Sequence, residues 1–341
     1  MIRVNLKRSG ALLAAALMQI AAAPVAAQDM PKAFRIATNP QGSLYYAAGS
    51  ALAKVLSTEL PAPARVQPYA GTTVAIPLVD SGEVQMGLNN TNDLRMAYRG
   101  MKPFIASPNL RVITVMFPLR VGIFVPVDSD IKSIADLRGK RIPSEYKAQL
   151  AVWYNVTSIL AGAGMSWEDV KGVPVPNVVA GTQALIEKRV DAALFALGAA
   201  KVREANAAIS GGIRFLSIDT SPEGIGRMQE AMPGTYPLPV KKGSTVGVLE
   251  DITVEGYDVF ISSSSQLSDN AAAALVKALH KSEAALQKAF PPFRGFSTQR
   301  MVKPNVTIPY HPGAIAAYKE LGLWKAEMDA VQTKLLSEAA R

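Results

Sequence analysis

Apolar positions along this chain alternate between short continuous runs and a helical period. Residues 34–37 form a short apolar run. Asn39-Pro40-Gln41-Gly42-Ser43 then reads as turn chemistry, with Gly42 free to take positive φ. From Leu44 the stripe is helical, through Ala47, Ala48, Ala51, Leu52 and Val55. A loop that opens a helix leaves backbone N–H groups unpaired at the positive end of the dipole. Such an end can hold an anion such as a carboxylate, although an ordinary βα turn has the same pattern.

The alternation continues. Residues 64–69 and 84–88 read as strands, with helical spacing over 74–79 closed by Ser81-Gly82. Residues 89–93 form a polar cluster at a strand end. Two apolar strands, 110–117 and 121–127, are separated by Pro118-Leu119-Arg120. A second unit starts near Asp128. It has a helical turn at 133–137, a strand after Gly139, helices at 151–163 and 183–189, and a strand at 192–196. A Gly- and Pro-rich stretch, 221–239, leads to a strand at 252–261. Asp269-Asn270 can cap one long helix over 271–289, and 310–336 is helical with an interruption near Gly322.

Strands alternating with helices predict a parallel α/β sheet. Two such units joined by two apolar strands imply two lobes, a hinge of crossing strands and a cleft. The expected boundaries are 28–118 with 263–341 for lobe I and 119–262 for lobe II. Polar clusters at 38–43, 69–73 and 89–93 fall at the carboxyl ends of strands, where open α/β sheets hold ligands.

The first 27 residues stand apart. Arg3, Lys7 and Arg8 precede an apolar run over 11–23, and Val25-Ala26-Ala27 suits a signal peptidase. A secretory signal peptide cut after Ala27 is expected, because the run is shorter than the roughly 20 residues of a membrane span. Cysteine is absent, which excludes disulfides and thiolate metal sites. Two histidines, His280 and His311, argue against a histidine metal site or a Ser-His-Asp triad. The net charge is +9; three positive charges and no acid lie in the first 27 residues, leaving +6. Without a dense Lys/Arg run, that surplus points to anionic ligands rather than nucleic acid.

Several short motifs, in order, resemble one family. Thr38-Asn39-Pro40-Gln41-Gly42-Ser43-Leu44-Tyr45-Tyr46 matches a GTGGTGGTYY-like opening and keeps both tyrosines. Thr72-Thr73-Val74 with Ser81-Gly82-Glu83, Asn90-Thr91-Asn92, Asp136-Leu137-Arg138-Gly139-Lys140-Arg141, Pro233-Gly234-Thr235-Tyr236 and His311-Pro312-Gly313-Ala314 follow. Together they are similar to the TAXI family of solute-binding subunits of TRAP transporters. The resemblance covers about 34–324. It implies a type II periplasmic-binding-protein fold and a monomeric, non-enzymatic periplasmic receptor. Such a receptor would pass a small organic acid or amino acid to a TRAP permease, with no cofactor or metal. Two departures bear on the ligand. The first loop is poorer in glycine than the family pattern. Pro143-Ser144-Glu145-Tyr146-Lys147-Ala148-Gln149 replaces a glycine-containing turn.

The candidate ligand-binding residues are Thr38, Asn39, Gln41, Ser43, Tyr45, Tyr46, Thr72, Thr73, Asn90, Thr91, Asn92, Arg120, Tyr146, Lys147, Gln149, Gly198 and Tyr236. Tyrosine offers an apolar face and a polar tip. Thr72 and Thr73 suit a cap as well as a ligand. The Asn-Thr-Asn run suits an Asx turn as well as a site. Arg120 is matched to a carboxylate if it faces the cleft, and is otherwise an exposed hinge residue. An ABC-type binding protein or a sensor subunit would present a similar cleft. A hydrolase using Ser43 or Ser144 would need a G-x-S-x-G elbow, which the chain lacks.

Overall fold

The computed structural model describes residues 30–338; the expected signal peptide lies outside them. In chain order the elements begin with β1 (Phe34–Thr38), α1 (Leu44–Glu59), β2 (Ala64–Pro68), α2 (Thr72–Asp80), β3 (Met86–Asn90), α3 (Thr91–Tyr98) and β4 (Leu110–Pro126). Then come β5 (Arg141–Glu145), α4 (Leu150–Gly162), β6 (Lys171–Val175), α5 (Val178–Ile186), β7 (Ala193–Ala196), α6 (Ala200–Ala208), β8 (Ile213–Phe215), α7 (Pro222–Ala231) and β9 (Tyr236–Val240). The chain closes with β10 (Ile252–Ser264), α8 (Asp269–Lys281), α9 (Glu283–Ala289), α10 (Pro312–Glu320) and α11 (Glu327–Glu338).

One eight-stranded sheet runs through the molecule in the order β2-β1-β3-β10-β4-β7, with β8 beside β4 and β9 beside β10. It is mixed rather than wholly parallel. β1 pairs in parallel with β2 and β3, whereas β10 is antiparallel to β3, β4 and β9. β4 and β10 pair from Glu255↔Val121 to Ser264↔Leu110 and are the crossing strands. One end of this pair carries β3; the other carries β7, β8 and β9. β5 and β6 form a separate parallel pair. The fold is therefore a two-lobed mixed α/β architecture.

Four sequence expectations change. The two strands around Pro118 are one strand of 17 residues. A Cβ on Gly295 would stand 2.8 Å from Pro118 Cδ, so the missing N–H faces the 291–295 turn and not a ladder. The polar cluster after β3 starts a helix, because the Asn90 side chain accepts from Asp93 N (2.8 Å) and caps α3. The Gly- and Pro-rich stretch orders into α7, with Ser221 as cap and Pro222 in the first turn, and into β9. The long helix breaks at Ser282 into α8 and α9, and the cap of α8 is Ser268 rather than Asp269-Asn270. His311 caps α10 through Nδ1, which accepts from Gly313 N (3.1 Å), as its Pro-Gly context suggests.

The loop before α4 explains the missing glycines. Glu145 and Tyr146 both sit in the left-handed region, at φ +64° and +46°. The backbone takes a shape that glycine adopts freely, at a cost of roughly 1–2 kcal/mol per non-glycine residue. Burial of the Tyr146 ring, 1% exposed beside Pro143, Val156 and Leu194, offsets that cost. Glu145 has no such compensation; it only pairs with exposed Lys147 (3.0 Å). Glu145→Gly should raise the unfolding free energy by up to about 1 kcal/mol, the relieved strain less the extra freedom of glycine. Urea denaturation measures this; a lower stability would show that the left-handed turn is unstrained.

Candidate functional site

The starts of five helices meet at the cleft. α1, α2 and α3 come from one lobe, α4 and α5 from the other. The first N–H groups of each have no carbonyl one turn back to bond. Ser43 caps α1 by accepting from Tyr46 N (3.1 Å), which turns Tyr45 inward. α2 starts after Gly71, and this glycine is required: a Cβ there would lie 1.9 Å from the Ala148 carbonyl oxygen. That contact brings the α2 and α4 starts together. Thr73 Oγ1 accepts from Leu150 N (2.9 Å), so a residue of one lobe caps a helix of the other. Asn177 Nδ2 donates to the Ala70 carbonyl (3.3 Å), and Lys201 N donates to the Gly42 carbonyl (3.2 Å), also across the cleft. The lobes are closed on one another.

Between them lies a narrow cavity. Asn39, Ser43, Tyr45, Thr72, Asn90 and Gln149 line it, with Leu44, Leu119, Val121, Ala151, Val152, Asn155, Val178, Leu194, Phe195, Ala196 and Tyr257. Its free space is about 30 Å³, room for roughly one or two waters. Among the described residues no Lys, Arg, Asp or Glu lines it. One buried polar atom in its wall, Asn39 Oδ1, lacks a hydrogen-bond partner, while the buried Tyr45 hydroxyl pairs with that of Tyr257. A buried polar group in that state costs roughly 1–3 kcal/mol unless something pairs with it.

Two carboxyls stand behind this wall. Thr72 Oγ1 donates to Asp93 Oδ2 (2.5 Å), while Asp93 Oδ1 is buried and unpaired. Burial pushes the Asp93 carboxyl up to about 6. Glu255, on β10, is wholly buried and accepts from Asn155 Nδ2 and Ser158 Oγ. Burial pushes it up to about 8, so it is mostly neutral at pH 7. Burial, with the neighbouring Tyr45 and Glu255, also pushes the Tyr257 hydroxyl up.

Six of the sequence candidates therefore meet in the cavity: Asn39, Ser43, Tyr45, Thr72, Asn90 and Gln149. Gln149 Oε1 also accepts from Val178 N (3.3 Å), which orients its amide. The others lie elsewhere. Thr38 packs behind, its methyl against Gly49. Gln41 Nε2 donates to the Tyr46 hydroxyl (3.4 Å) on the outer side of α1. Thr73 is the cross-lobe cap. Thr91 faces Gly234, and Asn92 is held by Arg95 (3.1 Å) and Met96. Tyr146 is core and Lys147 is at the surface. Tyr236 donates to Asp258 Oδ1 (3.0 Å), whose other oxygen accepts from Lys303 Nζ. Arg120 and Gly198 line a second groove, outside the cavity. Sequence reasoning missed Asn155, Glu255 and Tyr257. Glu255 carried the one available signal, an acid in an otherwise largely apolar strand that holds one other, Asp258.

Comparison with known proteins identifies the family and the fold. A family model matches residues 36–322. The chain belongs to the NMT1-like family. Among solved structures, the NMT1-like chain is similar to PhnD1 from Prochlorococcus marinus in complex with methylphosphonate, with 12% identity, a TM-score of 0.54, and 86% of this chain and 100% of that chain covered. It is similar to an ancestral arginine-binding protein bound to arginine, with 17% identity, a TM-score of 0.52, and coverage of 79% and 100%. It also resembles the alkanesulfonate-binding protein SsuA from Xanthomonas axonopodis pv. citri bound to MOPS, with 16% identity, a TM-score of 0.50, and coverage of 90% and 84%. The NMT1-like chain thus has the fold of solute-binding proteins. Among its described residues, no helix is long and apolar enough to cross a membrane, and no cluster of His, Asp or Glu could hold a metal ion.

The buried carboxyl and the cross-lobe cap each predict a measurement. A folded-state pKa of about 8 for Glu255 exceeds its ordinary value near 4.5. The folded chain then holds a proton that the unfolded chain releases. The stability tied to neutral Glu255 is full below about pH 4.5 and is lost as pH rises toward 8. Asp93 acts in the same sense only up to about pH 6. Urea unfolding at pH 6.5 and 8 should show a loss in the wild type that Glu255→Gln abolishes; parallel profiles would place Glu255 in its ordinary range. Thr73→Val should disfavour the closed arrangement by about 1 kcal/mol, roughly fivefold, with Thr73→Ser restoring it. Small-angle scattering reads the change as a larger radius of gyration, and an unchanged radius would remove Thr73 from closure.

Proposed function

We propose that the protein is a periplasmic solute receptor that closes its two lobes on a small organic anion, a monocarboxylate or an amino acid. It would hand this solute to a TRAP-type permease driven by an ion gradient. The observation that carries this reading is the meeting of five helix starts around a buried cavity whose wall holds the unpartnered Asn39 Oδ1. Unpaired N–H groups and dipoles suit a carboxylate. Asn39 Oδ1, the Tyr45 hydroxyl and Asp93 behind Thr72 suit an ammonium group. In this reading Asn39, Ser43, Tyr45, Thr72, Asn90, Gln149, Asn155 and Tyr257 contact the solute. The lobe boundaries fall at 118/119 and 262/263, a signal peptide ends at Ala27, and the receptor acts as a monomer.

A second reading takes its ligand class from the structural neighbours, which hold methylphosphonate and a sulfonate. A sulfonate is a monoanion and suits the same helix starts. A doubly charged phosphonate suits them less well, because no cationic side chain lines the cavity and Asp93 stands behind it. The TRAP partner rests on the TAXI-like motifs; an ABC partner is the alternative.

Chain beginning at Gln28, unfolded and refolded to strip carried ligand, should be screened by thermal shift against amino acids, keto acids, dicarboxylates, sulfonates and methylphosphonate. A true ligand at one hundred times Kd stabilises by about 2.7 kcal/mol. Asn39→Ala and Tyr45→Phe should each reduce that shift. Stabilisation by no anion of the panel would overturn the receptor reading. Uptake into cells abolished by collapsing the sodium gradient, but not by depleting ATP, would support the TRAP partner; the reverse would name an ABC transporter.

A further inference from the structure

A second concavity opens next to the cavity and is far larger, about 800 Å³. That is within the usual range for small-molecule sites. Leu44 and Leu119 are shared walls of the two spaces. One side is Phe290, Pro291, Pro292 and Arg294; the other is Leu197, Arg203, Val240 and Thr245. The apolar side is firmly built: Phe290 packs edge-on against Phe293 (5.3 Å), which packs edge-on against Phe117 (5.4 Å). Gly295 lies so close to Pro118 that a Cβ would collide with the ring at 2.8 Å.

Charge is one-sided. Arg120, Arg203 and Arg294 line the groove, and no Asp or Glu does among the described residues. Arg203 donates to the Gly198 carbonyl (2.7 Å). The side chains of Arg120 and Arg294 make no hydrogen bond or ion pair among the described residues, whereas Arg138, Arg141 and Arg189 each have a carboxylate. A guanidinium is weakly hydrated and offers a planar fork to a carboxylate or sulfonate. Apolar walls beside unpaired guanidinium groups match one chemistry: a flat or chain-like apolar body ending in an acid group.

We infer that this groove is a second ligand site, for an amphipathic organic anion. The body lies against Leu44, Leu119 and Phe290, and the acid group meets Arg120 and Arg294. This does not rest on the receptor reading of the inner cavity, and Asn39→Ala tells the two sites apart.

The probe is 2-naphthoate, with uncharged 2-naphthamide as its partner, titrated calorimetrically into the chain from Gln28. Naphthoate should bind one to one, and the amide at least roughly tenfold more weakly, as loss of a charge-assisted contact requires. Arg120→Gln and Arg294→Gln should each weaken naphthoate by about tenfold. Both arginines are exposed, so both variants should keep the wild-type melting temperature. Lys147→Gln, which removes a positive charge elsewhere, should leave the affinity unchanged. Equal binding of acid and amide, no binding of either, or insensitivity to both arginine variants would overturn the inference. So would loss of naphthoate binding in Asn39→Ala, since that would put the probe in the inner cavity.

Discussion

The antiparallel pairing of β4 with β10 is the constraint on which the rest of the molecule hangs. Each strand is long enough to leave one lobe and enter the other, so both lobes are built on the same two ribbons. The pair also supplies the cavity floor, through Leu119 and Val121 on one strand and Tyr257 on the other. A shear or bend in this pair moves the helix starts of one lobe against those of the other. Hinge and binding surface are thus the same backbone.

Burial of polar groups follows from that arrangement. The helix starts carry positive potential into the cleft, while Asp93 and Glu255 sit a layer behind it, both raised by burial, with Glu255 mostly protonated near pH 7. A fully charged pair of carboxylates there would oppose the helix dipoles. Neutral Glu255, shared between Asn155 and Ser158, satisfies those two side chains without adding charge beside the cavity. In the proposed receptor this polar layer would favour a solute with little net charge over a multiply charged one.

Much of the architecture was legible because apolar runs and helical stripes report burial directly. The units around 34–56, 151–163 and 192–196 stand where the pattern puts them. The errors came where local and tertiary signals compete. Pro118 reads as a break, yet its missing N–H points to a turn and the strand continues. Asn90 to Asp93 reads as a polar turn or site at a strand end, yet Asn90 caps α3 and Thr91 to Asp93 form its buried first turn. In the site, the side chains next to helix starts were legible: Asn39, Ser43, Tyr45, Thr72, Asn90 and Gln149. Asn155 and Tyr257, and Glu255 behind the wall, were not, since each sits inside a largely apolar helix or strand. Arg120 was singled out for its chemistry, but a strand residue faces away from its neighbours Leu119 and Val121.

The bonds that tie the lobes, from Thr73, Asn177 and Lys201, have a kinetic side. A space of about 30 Å³ admits no organic acid, so capture by the proposed receptor would begin from an arrangement in which those bonds are broken. The rate of capture then scales with the share of time the lobes spend apart. Stronger closure would prolong residence of the solute and at the same time slow its arrival. The proposed receptor, working at scarce solute, would therefore have an optimum in the number of these ties, and adding one more would trade speed for retention.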